Sequence, residues 1–155
     1  MANKLHTVLI RKHITVAAAE SCTSGLLAYL LTQSPGSSRY FTMSVVTYSN
    51  ESKSKLLRIA PSLLKEKGAV SEVVALRMAR AVRKIAGADY GIAITGIAGP
   101  QGATCGKPVG TVYIAIAGRD TTSCQLFHFR GNRAAIRRKA AKKALQLLLQ
   151  SVLRK

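Results

Sequence analysis

The chain has 155 residues, 48% of them hydrophobic and 5% aromatic, and this length and composition predict one globular domain over residues 1–155. Twenty-four Lys and Arg residues against six acids give a net charge of +18. We interpret these charges as a solvated basic surface, and binding to nucleic acid is the alternative interpretation. No apolar run approaches ~18 residues and the N-terminus lacks a secretory pattern, which argues against a membrane protein and against export.

Hydrophobic periodicity predicts helices and strands that alternate along most of the chain. Helices are predicted over residues 3–12, 26–32, 51–57, 61–67, 71–85 and 132–153. Strands are predicted over residues 14–19, 43–48, 89–95, 109–118 and 123–129, the last two joined by the turn sequence RDTT as a hairpin. Strands separated by helices indicate an α/β sandwich with a partly parallel sheet, and the hairpin makes that sheet mixed.

Three polar segments follow predicted strands: residues 20–25, 48–53 and 95–108, the first and last of which contain glycine. In α/β sheets, ligands bind in the crevice beyond the carboxyl ends of the strands. We therefore expect these segments to converge on a binding site. The three cysteines are odd in number, widely spaced and in no metal motif, which favours reduced thiols in a cytoplasm.

Ser21 stands where a strand meets a helix and is a candidate nucleophile, although the same cluster could simply cap the helix. The histidines lie outside the polar loops and no metal-ligand spacing is present, so no metal or other cofactor is expected. Lys53 is the remaining candidate base if burial lowers its pKa, and a solvated lysine is the alternative. Cys22 is either a rival nucleophile or an inert packed thiol.

The loop sequence TGIAGPQG, residues 95–102, places backbone N–H groups around Gly96 and Gly99. Glycine-rich loops of this kind let a backbone approach a phosphate closely. The spacing does not match a P-loop, and an ordinary long turn is the alternative interpretation.

Six motifs occur together in this order: AESCTSG, VVTYSNESK, GAVSE, TGIAGPQG, KPVGTVY and GNRAAIRR. Their order and spacing over about residues 5–150 resemble the CinA C-terminal family, bacterial nicotinamide-nucleotide amidohydrolases also called NMN deamidases. The resemblance implies hydrolysis of the carboxamide of nicotinamide mononucleotide to nicotinate mononucleotide and ammonia. It also implies a three-layer α/β/α fold, a metal-free serine–lysine mechanism, a homodimer and, since no second domain precedes the motifs, the stand-alone form.

By position, Ser21 resembles the nucleophile of that family, Lys53 its base and Tyr48 a supporting hydroxyl that would relay a proton or hold the lysine. Asn50 lies in the same segment and is predicted to orient the amide or the lysine. Ser21 would attack the carboxamide carbon after Lys53 accepts its proton.

Further residues resemble, or suit by their chemistry, substrate-binding positions. They are Thr23, Ser24 and Gly25 at the helix start, Thr95, Gly96 and Gly99 in the facing loop, and Arg133 and Arg137 on the last helix. The helix start would offer N–H groups to an oxyanion or a phosphate, and the loop would form the opposing wall. The two arginines suit a phosphate by their charge.

Three positions depart from the usual family pattern. Ser24 stands where the first of two glycines is usual, Met43–Ser44 replaces a glycine, and Asn132 replaces an acid. The alternative function is a non-enzymatic, nucleic-acid-associated protein, in keeping with the family's competence and DNA-damage name and the positive charge. Since aromatics do not interleave with the basic residues, we expect at most weak, non-specific nucleic-acid binding. The resemblance implies a small nucleotide as the substrate.

Overall fold

The computed structural model describes residues 2–154, and its elements follow the predicted order. The helices are α1 (Ala2–Arg11), α2 (Leu26–Leu31), α3 (Asn50–Leu57), α4 (Pro61–Lys67), α5 (Glu72–Ala86) and α6 (Arg133–Leu153). The strands are β1 (Val16–Glu20), β2 (Phe41–Val46), β3 (Tyr90–Gly96), β4 (Thr111–Ala117) and β5 (Thr122–His128). Each predicted element is present, and a short 3-10 helix, Ser37–Arg39, was not predicted.

The sheet has five strands in the order β2-β1-β3-β4-β5. Strands β2, β1 and β3 run parallel, whereas β4 and β5 pair antiparallel, which confirms the mixed sheet. Strand β2 ends at Val46, earlier than predicted, because pairing with β1 ends at the Glu20–Val46 pair. Thr47 and Tyr48 therefore leave the sheet and belong to the polar segment that follows.

Helices cover both faces of the sheet and form two separate cores, which gives the three-layer α/β/α arrangement. Side chains from α1, α2 and α6 pack on one face against bulky strand residues such as Ile92 and Ile94. Helix α5 packs on the other face, where the strands present alanines such as Ala93. A Cβ at Gly91 would overlap the carbonyl of Ala79 in α5, so glycine allows this helix to lie close to the sheet.

The carboxyl ends of β1, β2 and β3 meet at one edge of the sheet because these strands are parallel and adjacent. The chain leaves that edge through residues 21–25, 47–49 and 97–110, close to the segments predicted to converge. Within residues 2–154, the structure has no helix with the length and apolar content that a membrane span requires.

Candidate active site

The turn after β1 presents Ser21 at the edge of the sheet. The N–H of Ser21 donates to the carbonyl of Ile94 at 3.0 Å, so the residue is fixed to β3. The Ser21 carbonyl accepts from the N–H of Ser24 at 3.1 Å, which closes the turn. Ser24 and Gly25 have φ values of 49° and 90°, in the left-handed region that favours glycine. Ser24 thus adopts the conformation that explains the glycine usual at this position in the family.

The start of α2 does not offer the free N–H groups that Thr23, Ser24 and Gly25 were predicted to supply together. The buried carboxylate of Glu20 accepts from the N–H groups of Gly25, Leu27 and Ala28. Ser24 donates within the turn, as described above. The N–H groups of Ser24 and Gly25 are therefore engaged within the protein, by the Ser21 carbonyl and the Glu20 carboxylate, and their predicted contact with substrate stays a prediction.

Two N–H groups of this turn remain available. Those of Cys22 and Thr23 donate to no other residue within residues 2–154, and the N–H of Cys22 contacts only its own thiol. Cys22 lines the cleft beside Ser21. Its N–H, directly after Ser21, is therefore the candidate donor to an oxyanion that forms on a carbonyl attacked by Ser21.

Lys53 lies on the first turn of α3, whose start is fixed by a reciprocal capping box. The Ser49 hydroxyl accepts from the N–H of Ser52 at 3.0 Å, and the Ser52 hydroxyl accepts from the N–H of Ser49 at 3.1 Å. The Lys53 side chain is only 1% exposed and reaches back to the sheet edge. Its Nζ donates to the Ser21 hydroxyl at 3.1 Å and to the carbonyl of Thr47 at 2.7 Å.

Burial lowers the pKa of Lys53 from 10.5 to about 8, because the ammonium loses its hydration. The carbonyls of Thr47 and Tyr48, at 2.7 and 3.4 Å, each accept from Nζ. A neutral amine has two N–H donors and one lone pair. It can keep both carbonyl contacts and still accept the proton of the Ser21 hydroxyl, which is the geometry that a general base requires.

Tyr48 is placed differently from the prediction. Its side chain is 58% exposed, and its hydroxyl accepts from a guanidinium N–H of Arg133 at 2.9 Å. Only the main-chain carbonyl of Tyr48 contacts Lys53. The structure does not bring the Tyr48 hydroxyl to Lys53, and the direct contact between Lys53 and Ser21 needs no relay, so the relay role stays a prediction.

Arg133 crosses the mouth of the cleft. It donates to the carbonyl of Gly99 at 2.9 Å and, through its other terminal nitrogen, to the Tyr48 hydroxyl. Asn132 fixes the start of α6 because its side chain accepts from the N–H of Ala135 at 2.9 Å, as an aspartate would. Arg133 thus lies where an anionic group entering the cleft would meet a guanidinium.

A cleft of about 270 Å³ joins these segments. Of the predicted residues it is lined by Ser21, Tyr48, Lys53, Thr95, Gly96, Gly99 and Arg133. Sequence reasoning did not identify the other lining residues Ala69, Val70, Ile97, Ala98, Gln101 and Gly102, although the motifs GAVSE and TGIAGPQG contain them. The described lining residues include no Asp or Glu, so the cleft favours an anionic ligand.

Arg137 and Asn50 are not among the residues that line this cleft. Arg137 donates to the carbonyl of Thr23 at 2.8 Å and so supports the Ser21 turn from α6. Asn50 is exposed at the start of α3 and lines a separate apolar depression with Pro61 and Leu64. The structure therefore does not place Arg137 or Asn50 at the cleft, and their predicted roles toward the phosphate and the amide stay predictions. The Thr23 side chain is fully buried and does not reach the cleft.

Cys22 lines the cleft but is 5% exposed, and burial raises its pKa to about 12. The group is therefore a thiol at neutral pH, which supports the interpretation as an inert packed residue. Residues 2–154 contain no cluster of three or more His, Cys, Asp or Glu side chains suited to a metal ion.

The family model described as "CinA C-terminal domain" matches residues 1–152. A CinA-like protein of Geobacter sulfurreducens is 49% identical over 155 residues, covering 97% of this chain and 38% of that protein. A CinA-like protein of Geobacter metallireducens is 50% identical over 140 residues, covering 90% of this chain and 34% of that protein. The chain thus spans about a third of the length of these relatives.

Solved structures of the CinA superfamily are similar over nearly the whole chain. The protein from Klebsiella pneumoniae aligns with a TM-score of 0.95 and 32% identity, covering 99% of this chain and 96% of its own. The protein from Escherichia coli aligns with a TM-score of 0.92 and 35% identity, covering 96% and 87%. The α/β fold is therefore that of this superfamily.

Proposed function

The chain belongs to the CinA C-terminal domain family, and on that premise we propose that it hydrolyses the carboxamide of nicotinamide mononucleotide by a serine–lysine mechanism. The products are nicotinate mononucleotide and ammonia. The observation that carries the proposal is the 3.1 Å contact between the buried Lys53 amine and the Ser21 hydroxyl in a cleft without acidic side chains.

In the first half of the reaction, Ser21 Oγ attacks the carboxamide carbon while the neutral Lys53 amine accepts the hydroxyl proton. The carbonyl oxygen becomes an oxyanion, which the N–H of Cys22 stabilises. The carbon–nitrogen bond then breaks as Lys53 returns the proton to the departing nitrogen. Ammonia leaves, and the nicotinoyl group remains bound to Ser21 as an ester.

In the second half, a water molecule attacks the ester carbon and gives its proton to Lys53. The bond to Ser21 breaks, and Ser21 regains its proton from Lys53. The carboxylic acid formed gives its remaining proton to the released ammonia or to solvent, and nicotinate mononucleotide leaves as a carboxylate. One water is consumed and one ammonia released, so the protein returns to its starting state without an added redox or metal reagent.

The rest of the nucleotide has complementary surroundings in the cleft. Ala69, Val70 and Ile97 offer an apolar wall on which a pyridine ring can pack. Arg133 has two neutral acceptors, the Gly99 carbonyl and the Tyr48 hydroxyl, and a phosphate is a stronger acceptor for a guanidinium than either. We propose that the phosphate binds to Arg133 in place of one of them.

The test is release of ammonia from nicotinamide mononucleotide by the purified protein, with the nicotinate product identified by mass spectrometry. We expect hydrolysis that persists after treatment with chelator, because the mechanism uses only side chains and water. Nicotinamide, which lacks ribose and phosphate, is the matched control and should react far more slowly. Absence of ammonia release, or activity that chelator removes and a divalent ion restores, would contradict the proposal.

A further inference from the structure

Glu20 is a buried acid that the proposed reaction does not use. It is the last residue of β1, immediately before Ser21, and its exposure is 0%. No salt bridge within residues 2–154 includes it. A carboxylate is costly to bury without a cation, so its surroundings must supply other compensation.

Main-chain N–H groups provide that compensation. Oε2 accepts from Gly25 and Leu27, each at 3.0 Å, and Oε1 accepts from Ala28 at 2.9 Å. The Ser44 hydroxyl on β2 adds a longer contact of 3.4 Å to Oε1. Both oxygens are therefore engaged by the first turn of α2, where N–H groups otherwise lack partners.

These contacts close a ring around the Ser21 turn. The Glu20 side chain, directly before Ser21, accepts from main-chain N–H groups that follow the turn. The main-chain carbonyl of Glu20 also accepts from the N–H of Thr47 at 2.8 Å. Within the ring, Ser24 has the left-handed conformation, which is unfavourable for a residue other than glycine. The conformation of the Ser21 turn therefore depends on the hydrogen bonds of Glu20, which offset the unfavourable backbone conformation of Ser24.

We infer that Glu20 is a positioning residue, whose carboxylate fixes the Ser21 turn so that the Ser21 hydroxyl stays against Lys53 and the N–H of Cys22 stays free of acceptors on other residues. The inference rests on the proposed role of Ser21 as nucleophile. It does not depend on which amide is the substrate.

Two substitutions of Glu20 weaken its hydrogen bonds to the start of α2 to different degrees. Glu20→Gln replaces one acceptor oxygen with an NH₂ group, so at least one N–H of α2 loses its acceptor while the volume is unchanged. Glu20→Asp keeps the charge, but the side chain is one methylene shorter and cannot reach all three N–H groups. We expect a larger loss of Ser21 reactivity for Glu20→Gln than for Glu20→Asp.

Asp89 offers a matched control at the opposite edge of the sheet. Its Oδ2 accepts from the N–H and hydroxyl of Thr15, at 3.0 and 2.9 Å, so it too is a carboxylate that fixes the main chain. It lies outside the cleft. Asp89→Asn should therefore lower the melting temperature without changing the reactivity of Ser21.

The experiment measures the second-order rate constant for modification of Ser21 by a fluorophosphonate, followed by intact mass and confirmed by its loss in Ser21→Ala. Turnover of nicotinamide mononucleotide is measured on the same samples and expressed per modifiable site, which removes the contribution of unfolded molecules. We expect Glu20→Gln to lower the modification rate and kcat per site at least ~10-fold with KM nearly unchanged, as for an interaction made in the transition state.

A purely structural role would lower the number of modifiable sites and the melting temperature, as in Asp89→Asn, and leave the rate per site unchanged. That result in Glu20→Gln overturns the inference, and where Glu20→Gln does not fold, an unchanged rate per site in Glu20→Asp overturns it. A wild-type protein that is modified at Ser21 but does not hydrolyse the mononucleotide contradicts the proposed substrate alone. A wild-type Ser21 that resists modification overturns the positioning role together with the nucleophile.

Discussion

The two edges of the parallel part of the sheet each hold a cavity, but their charges are arranged differently. At the amino edge, a cavity of about 290 Å³ is lined by Lys12, Asp89, Arg119 and Asp120 among others. Arg119 and Asp89 form an ion pair at 3.3 Å there. At the carboxyl edge, the cleft of about 270 Å³ contains Lys53 and Arg133 and no acid among its described lining residues.

This difference decides which groups can exchange protons near neutral pH. Burial alone would raise the pKa of Asp89, but its hydrogen bonds to Thr15 and the charge of Arg119 outweigh burial and hold that pKa below 3.8. Asp89 therefore stays ionised near neutral pH. Lys53 is buried against neutral acceptors, and its pKa falls to about 8. A buried lysine without an acid beside it has a lowered pKa and is a candidate base. A cation that is paired with an acid keeps its charge and has a structural role.

The largest expected effect is loss of the Ser21–Lys53 pair. Lys53→Arg and Ser21→Ala should each lower kcat at least ~10³-fold, and the double variant should fall no further, because the residues act as a unit. Arginine keeps the charge and cannot accept a proton. Lys12→Arg is the control at the amino edge, where Lys12 donates only to the carbonyl of Val152, and kcat should change little. Substantial turnover in Lys53→Arg would contradict the mechanism.

The next effect concerns substrate binding. Arg133→Ala should raise KM for the mononucleotide about 10- to 100-fold and change kcat less, since a charged hydrogen bond contributes about 1.5–3 kcal/mol. Arg119→Ala removes a guanidinium from the other edge and should leave KM unchanged. Nicotinamide riboside, which lacks the phosphate, should show the same KM with or without Arg133. A riboside hydrolysed as well as the mononucleotide would remove the phosphate role from Arg133.

The pH dependence should show a smaller change. The neutral Lys53 amine is the active form, so kcat/KM should rise with pH and level off above a midpoint near 8. With that pKa, roughly one molecule in ten is active at pH 7, and the rise from pH 7 to 9 is about tenfold. Asp89→Asn should show the same midpoint. A profile that is flat between pH 6 and 9 would exclude Lys53 as the base.

Bound substrate should lower the pH midpoint of the activity further. The oxidised pyridine ring carries a positive charge, which comes within ~6 Å of the Lys53 amine when the carboxamide meets Ser21. At an effective dielectric constant of 20, the repulsion between this charge and the Lys53 ammonium is about 2–3 kcal/mol. The midpoint of kcat, which reports the complex, should therefore lie below that of kcat/KM. Equal midpoints would show that the charge of the ring does not reach Lys53.

The smallest effect is expected for the cysteine beside the nucleophile. Cys22→Ala should retain activity within about threefold, because the buried thiol stays protonated and does not attack the substrate. Iodoacetamide should modify the exposed Cys105 first and leave turnover intact. Rapid modification of Cys22, or loss of turnover in Cys22→Ala, would make the thiol a rival nucleophile.

The strands and helices could be predicted because their periodicity is local. Alternating residues such as Ile92, Ala93 and Ile94 belong to opposite cores, as a period of two requires. The segments after β1, β2 and β3 could also be predicted to meet, since parallel neighbouring strands end at one edge. The order of the motifs identified Ser21 and Lys53 as site residues. Their contact is then explained by the fold, which brings the two segments to the same sheet edge.

Sequence patterns could not show which way a side chain points. Arg133 and Arg137 are four residues apart on one face of α6, so they looked equivalent, but the helix runs away from the cleft by about 6 Å over that spacing. Arg133 reaches the Tyr48 hydroxyl, whereas Arg137 reaches the carbonyl of Thr23. Asn50 and Lys53 share a turn of α3, and only the orientation of that helix buries Lys53 and exposes Asn50.

The sequence by itself determined the α/β layering, the sheet-edge site and the pairing of a serine with a lysine, because these follow from periodicity, strand direction and an ordered set of motifs. Only the tertiary structure decided that Glu20 occupies the start of α2, that Tyr48 contacts Arg133, and that the described residues lining the cleft with Lys53 include no acid. Each of these depends on distances between elements far apart in the chain. Local patterns carry no information on such distances, and the pKa and hydrogen bonding of a buried group depend on them.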